Sequence, residues 1–94
     1  MALTAPIIHS NGTSAQRILD DYDMAYQALN EATLALQRTA PNGRDYYVVP
    51  DSLPKAEQEH MERLVMLRTI QNQLEELMEK VTDQVDEQNR IRGR

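Results

Sequence analysis

The sequence contains no cysteine, tryptophan or phenylalanine, and only three glycines and four prolines. Without cysteine there are no disulfide staples and no thiolate metal ligands, a usage that fits a reducing cytoplasm. Long apolar runs are missing as well. Residues Met1 to Ile8 carry neither lysine nor arginine and no extended hydrophobic stretch, so a signal peptide and a membrane span are not expected. Basic charge is scarce: ten Lys and Arg stand against fifteen Asp and Glu, a formal net charge of −5. A polymeric nucleic-acid partner is therefore not expected, because such affinity comes from phosphates neutralised by clustered cations. Two histidines and no Glu-x-x-His pair leave a bundle metal site unsupported. No nucleophile stands beside a base, so the expectation is a cytoplasmic protein that is not an enzyme and carries no cofactor.

What is present is helical periodicity. Asn11-Gly12 signals a turn, and Thr13 to Gln16 fits a capping box, with Thr13 as cap and Gln16 reaching back. The pattern predicts an arm over 1–12, a helix over 13–39, a loop over 40–53 and a second helix over 54–90. In the first helix Ile18, Tyr22, Ala25, Leu29, Ala32 and Leu36 recur in steps of four and three, flanked by Leu19, Tyr26 and Thr33. In the second the seam is Leu64, Leu67, Ile70, Leu74, Leu77, Val81 and Val85, with Met61, Met66 and Met78 beside it. His60 flanks that seam as a packed residue. The fold class expected is all-α: an antiparallel hairpin of two long helices with an irregular arm, assembled into an oligomeric bundle. At 94 residues a two-helix chain buries too little apolar surface alone, which makes a homo-oligomer the expected remedy.

At 1.5 Å per residue the first helix spans about 39 Å and the second about 54 Å, so one overhangs the other. The overhang carries Val81, Val85 and Ile91. Either the arm, through Leu3, Ile7 and Ile8, or another copy is expected to cover them. The Arg90, Arg92 and Arg94 tail reads as a solvated helix end.

Two polar loops hold most of the residues that this architecture does not require. The loop Asn11-Gly12-Thr13-Ser14 ends at a helix N-terminus, where free amides, the dipole and two hydroxyls favour an anion, and Gly12 permits close approach. His9 and Arg17 are near enough in sequence to add a base contact or a phosphate contact. The simpler use of the same residues is a turn and a cap. In Gly43 to Tyr47, Arg44 supplies a cation while Tyr46 and Tyr47 supply rings for stacking a base. Structural use is equally simple there, with one tyrosine covering the end of the core and Arg44 pairing with Asp45. Tyr46-Tyr47-Val48-Val49 is extended-prone, so only one of the two rings is expected to be strongly buried. Within one chain the loops lie at opposite ends of the first helix, and a shared site would need a second subunit.

The spaced pair His-x-Asn-Gly-Thr-Ser (His9 to Ser14) and Gly-Arg-Asp-Tyr-Tyr (Gly43 to Tyr47) resembles small proteins of bacteriophages and prophages, a set without an assigned activity. In outline the chain is also similar to a helical anti-CBASS family that sequesters cyclic-nucleotide messengers, although none of that family's binding residues maps onto this sequence. The resemblance implies a phage anti-defence protein in an infected host, oligomeric and binding a small cyclic nucleotide. The alternative is a helical interaction module that docks on a host protein.

Overall fold

The computed structural model describes residues 2–93; Met1 of the arm and Arg94 of the basic tail lie outside them. Among the described residues there are three helices and no strand: α1 (Ala15–Gln37), α2 (Gly43–Tyr46) and α3 (Ser52–Arg92). Helix α1 starts two residues later than the capping pattern predicts. Ser14, not Thr13, is the cap: its backbone is extended and its Oγ accepts from the Arg17 amide at 3.2 Å. A capping box from Ser14 would need a side-chain acceptor at position 17, which is arginine. Gln16 instead turns forward and donates to Asp20 at 2.7 Å. At the other end Arg38, Thr39 and Ala40 donate to carbonyls three residues back, so the last turn tightens before Pro41 ends it.

The connection is not extended. Asn42 Oδ1 accepts from the Arg44 amide at 3.0 Å and its Nδ2 donates to Asp45 Oδ2 at 2.9 Å, closing the single helical turn of α2. The strand preference of Tyr46-Tyr47-Val48-Val49 loses because extended backbone here would have no neighbouring strand for its amides and carbonyls. Tyr46 is half-buried, whereas Tyr47 is 79 % exposed, so neither ring is strongly buried. The chain reverses at Asp51, which adopts a left-handed φ of 64° and makes no side-chain cap. Ser52 begins α3, and its hydroxyl lies 3.0 Å from the Tyr46 carbonyl and 2.8 Å from the Val49 carbonyl, tying the loop to the helix. Pro54 falls in the first turn, where its missing N–H has no intrahelical partner to lose.

Helices α1 and α3 pack along their lengths. Tyr26 Oη donates to Glu75 at 2.6 Å and Gln71 Nε2 donates to Asn30 Oδ1 at 2.6 Å; one turn forward along α1 thus meets one turn back along α3. The seam differs from the predicted one on both helices. On α1 the predicted Ile18, Tyr22, Leu29 and Leu36 are sheltered, together with Leu19, Tyr26 and Thr33, while Ala25 and Ala32 are exposed. On α3 the predicted Leu64, Leu67, Leu74, Leu77, Val81 and Val85 are sheltered, together with His60, Gln71 and Met78, while Ile70 is exposed. Each set contains a line in four-three spacing, with Ile18 and Leu77 beside it. The apolar stripes are wider than the contact, so hydropathy alone did not select the centre line. Tyrosine and glutamine reach polar partners across the seam, which let them displace alanine and isoleucine from it.

Val81 and Val85 do not overhang: in the register set by Tyr26–Glu75 and Asn30–Gln71 they stand level with the first turns of α1, and the arm packs beside them. Val81 is 0 % exposed and Val85 is half-buried. Gln84 holds the arm in place by two backbone contacts. Its Oε1 accepts from the Ile8 amide at 2.9 Å, and its Nε2 donates to the Pro6 carbonyl at 2.8 Å. Leu3, Ala5, Pro6 and Ile8 are half-buried, whereas Ile7 is exposed and is not an anchor. This follows from the clamp: residues either side of an extended position point oppositely, so Pro6 and Ile8 face α3 and Ile7 faces away. Ile91, beyond the reach of the arm, stays exposed. The molecule is a rod of 70 × 24 × 21 Å, its long dimension set by α3, whose 41 residues span about 61 Å.

Candidate functional site

Where the arm turns into α1, it meets the last two turns of α3 and leaves an open cleft of about 440 Å³. Three elements build it. The arm contributes Ile8, His9 and Ser10, the start of α1 contributes Ser14 and Ala15, and α3 contributes Val85, Gln88, Asn89 and Arg92. The floor is apolar, from Ile8 and Val85. The rim carries an imidazole, two hydroxyls, two carboxamides and one guanidinium.

The backbone explains the convergence. The Gly12 amide donates to the His9 carbonyl at 3.1 Å, closing a four-residue turn that folds the arm back onto the helix start. In that turn the His9 ring lies over Gly12: a Cβ at position 12 would sit 2.8 Å from His9 Nε2. The small residue therefore makes room for the imidazole, and not for a ligand as the loop sequence suggested. Ser14 Oγ accepts from the Arg17 amide, and Ser14 and Ala15 place the start of α1, with its free first-turn amides, at the cleft wall.

The positions expected from sequence divide clearly. His9 and Ser14 line the cleft, and Ser10 joins them, whereas Asn11, Gly12 and Thr13 form the turn behind it. Arg17 faces along its own helix, where its Nε lies 3.2 Å from Asp21 in an exposed i, i+4 ion pair. Arg44, Tyr46 and Tyr47 belong to the opposite end of α1, whose 23 residues span about 35 Å. No single small molecule reaches both loops of one chain. Sequence reading passed over Gln88 and Asn89 and took Arg92 only for part of a solvated helix end, whereas all three line the cleft. Their signal was the length mismatch: if the second helix overhangs the first, its last turns stand beside the first turn of its partner.

Charge around the cleft is mixed. Arg90 pairs with Glu87 one turn away, while among the described residues Arg92 has no carboxylate within ion-pair distance. A second hollow, of about 460 Å³, lies on the outer face of α3 between Thr69 and Glu79. Glu75, Glu76 and Glu79 line it, so an anion would meet repulsion there. Among the described residues no group of three or more acidic, histidine or cysteine side chains is placed to hold a metal ion, and no helix is long and apolar enough to cross a membrane.

No family model matches the sequence, and neither the curated proteins nor the solved structures compared with it yielded a match.

Proposed function

We propose that this chain is a phage-borne accessory protein, an antiparallel helical hairpin that self-associates in the cytoplasm of an infected host and sequesters a small anionic ligand, a cyclic nucleotide of host-defence signalling. The observation that carries the anion is the meeting of Arg92 with the N-terminal end of α1 across one cleft. A guanidinium and free helix-terminal amides both favour phosphate. Ser10 and Ser14 add donors, the Gln88 and Asn89 carboxamides can read the edge of a base, and the His9 ring offers a face for stacking. The cleft volume of about 440 Å³ falls within the roughly 300–1,000 Å³ usual for small-molecule sites. The nucleotide identity rests on the resemblance to phage proteins and on their helical anti-defence analogues. The chemistry asked of the protein is retention alone, which needs no catalytic pair.

The second reading is an interaction module without a ligand, favoured by the exposed apolar side chains along α3, among them Met61, Val65 and Met66. Titrating the purified chain with cyclic di- and trinucleotides, read by thermal shift and calorimetry, separates the two. A shift is expected with at least one of them, lost in Arg92→Gln and retained in Arg44→Gln. No shift with any member of the panel, or the same shift in Arg92→Gln, overturns the ligand reading. Loss in Arg44→Gln replaces the one-chain cleft by a site shared between subunits.

A further inference from the structure

One face of the helix pair is mostly apolar in its middle, with Gln73 as its polar position, and is covered only at one end. Ala25, Ala28, Ala32 and Ala35 are all exposed, and each immediately precedes a sheltered residue of α1. Met66 and Ile70, 58 % and 44 % exposed, likewise immediately precede Leu67 and Gln71 of the α3 seam. At 100° per residue, a position one before the seam is turned a quarter of the way round the helix. Because α1 and α3 run in opposite senses, as the Tyr26–Glu75 and Asn30–Gln71 pairs require, those quarter turns bring both rows to the same side of the rod. Gln84, which clamps the arm, holds the equivalent position one before Val85. The arm therefore occupies this face beside the C-terminal end of α3 and leaves the rest bare.

We infer that this bare face is the contact between two copies of the chain, the partner's α3 lying on the alanine row of α1. The level of the side chains fits that pairing. The Asn30–Gln71 contact sets the register, so Ala32 and Ala35 stand at the height of Ile70 and Met66. A two-fold axis parallel to the helices then places each protomer's alanines opposite the other's methionine and isoleucine, small against large, at both equivalent contacts. Alanine keeps the surface shallow, and the long side chains fill it.

Area points to a second copy rather than to a small ligand. The described chain exposes 7386 Å², whereas a compact chain of its mass, 10.8 kDa, exposes about 5,500 Å². The excess, nearly 1,900 Å² by the same scaling, is more than the roughly 800 Å² that each partner contributes to a stable interface. None of these six central residues is charged, and the charged positions that the same rule adds, Asp21 and Lys80 at one end and Glu59 and Arg63 at the other, lie outside them and carry both signs.

This inference rests on the self-association proposed above and assigns its surface. Sedimentation velocity at micromolar concentration tests it on the full chain and on Ala32→Glu, Ile70→Glu and the control Val65→Glu, which follows Leu64 and so faces the other side. The native chain is expected at twice its mass or a multiple of that. Ala32→Glu and Ile70→Glu are expected at the single-chain mass with unchanged helical circular dichroism, and Val65→Glu at the native mass. A native chain at single mass overturns self-association altogether. A native oligomer that survives Ala32→Glu and Ile70→Glu, or that Val65→Glu alone dissociates, overturns this face and leaves self-association standing.

Discussion

Truncating Gln84 to alanine should release the arm without unfolding the helices. The side chain makes two hydrogen bonds to arm backbone, to the Ile8 amide and the Pro6 carbonyl, at 2.9 and 2.8 Å. Each contributes about 1 kcal/mol net, so the substitution is expected to weaken docking by about 2 kcal/mol, roughly a 30-fold rise in the undocked population. The cost is held near that figure because the site is only half-buried and water can replace the lost partners. The effect is one of arm population, because the α1–α3 seam is left in place. Amide hydrogen exchange over residues 2–14 reads it directly: protection at Ile8 should fall by a factor near 30, while protection in the middle of α1 and α3 stays. Gln84→Glu adds a sign test. Its carboxylate still accepts from Ile8 but opposes the Pro6 carbonyl, and protonation restores a donor. Its defect should therefore shrink as pH falls through about 4, the ordinary glutamate range. Unchanged exchange of the arm in Gln84→Ala, or an equal effect from Gln88→Ala, would refute the clamp.

Two further substitutions address the seam and the cap. Gln71 is 3 % exposed with its amide on exposed Asn30, so Gln71→Leu should leave stability within about 1 kcal/mol of the native chain or raise it. Asn30→Ala, which leaves the buried Gln71 amide only its long 3.5 Å contact to the Tyr26 carbonyl, should cost about 1 kcal/mol; urea denaturation that shows the reverse order contradicts the assignment of Gln71 to the seam. Ser14→Ala should lower stability by about 1 kcal/mol through loss of the cap, while Thr13→Ala should change it by less than about 0.5 kcal/mol. Equal losses from the two in thermal unfolding would return the cap to Thr13.

Helix type was legible in the four-three spacing, and helix positions in Asn11-Gly12, Pro41 and Pro54. The choice of seam within each stripe was not. Both Ala25 and Tyr26 satisfy an apolar periodicity, and only the reach of Tyr26 to Glu75 across the interface ranks them. Half of the cleft was likewise readable, because His9, Ser10 and Ser14 are neighbours in sequence. Arg92 was not, since it is 78 positions from Ser14 and joins it through the relative lengths of two helices. The rings of Tyr46 and Tyr47 drew attention as a stacking pair, yet the turn set by Asn42 directs one toward the molecule and leaves the other in solvent.

Local order along the chain, meaning which segments coil and where each stops, was determined by the sequence itself, because capping groups, prolines and hydrophobic repeats act over a few residues and need no distant partner. Tertiary structure alone decided which stripe of each helix faces inward, that the arm docks on Gln84 and leaves Ile91 exposed, and which polar groups share a cleft. Those outcomes turn on contacts between residues far apart in the chain, whose competition is settled by how closely whole surfaces fit once the helices lie side by side.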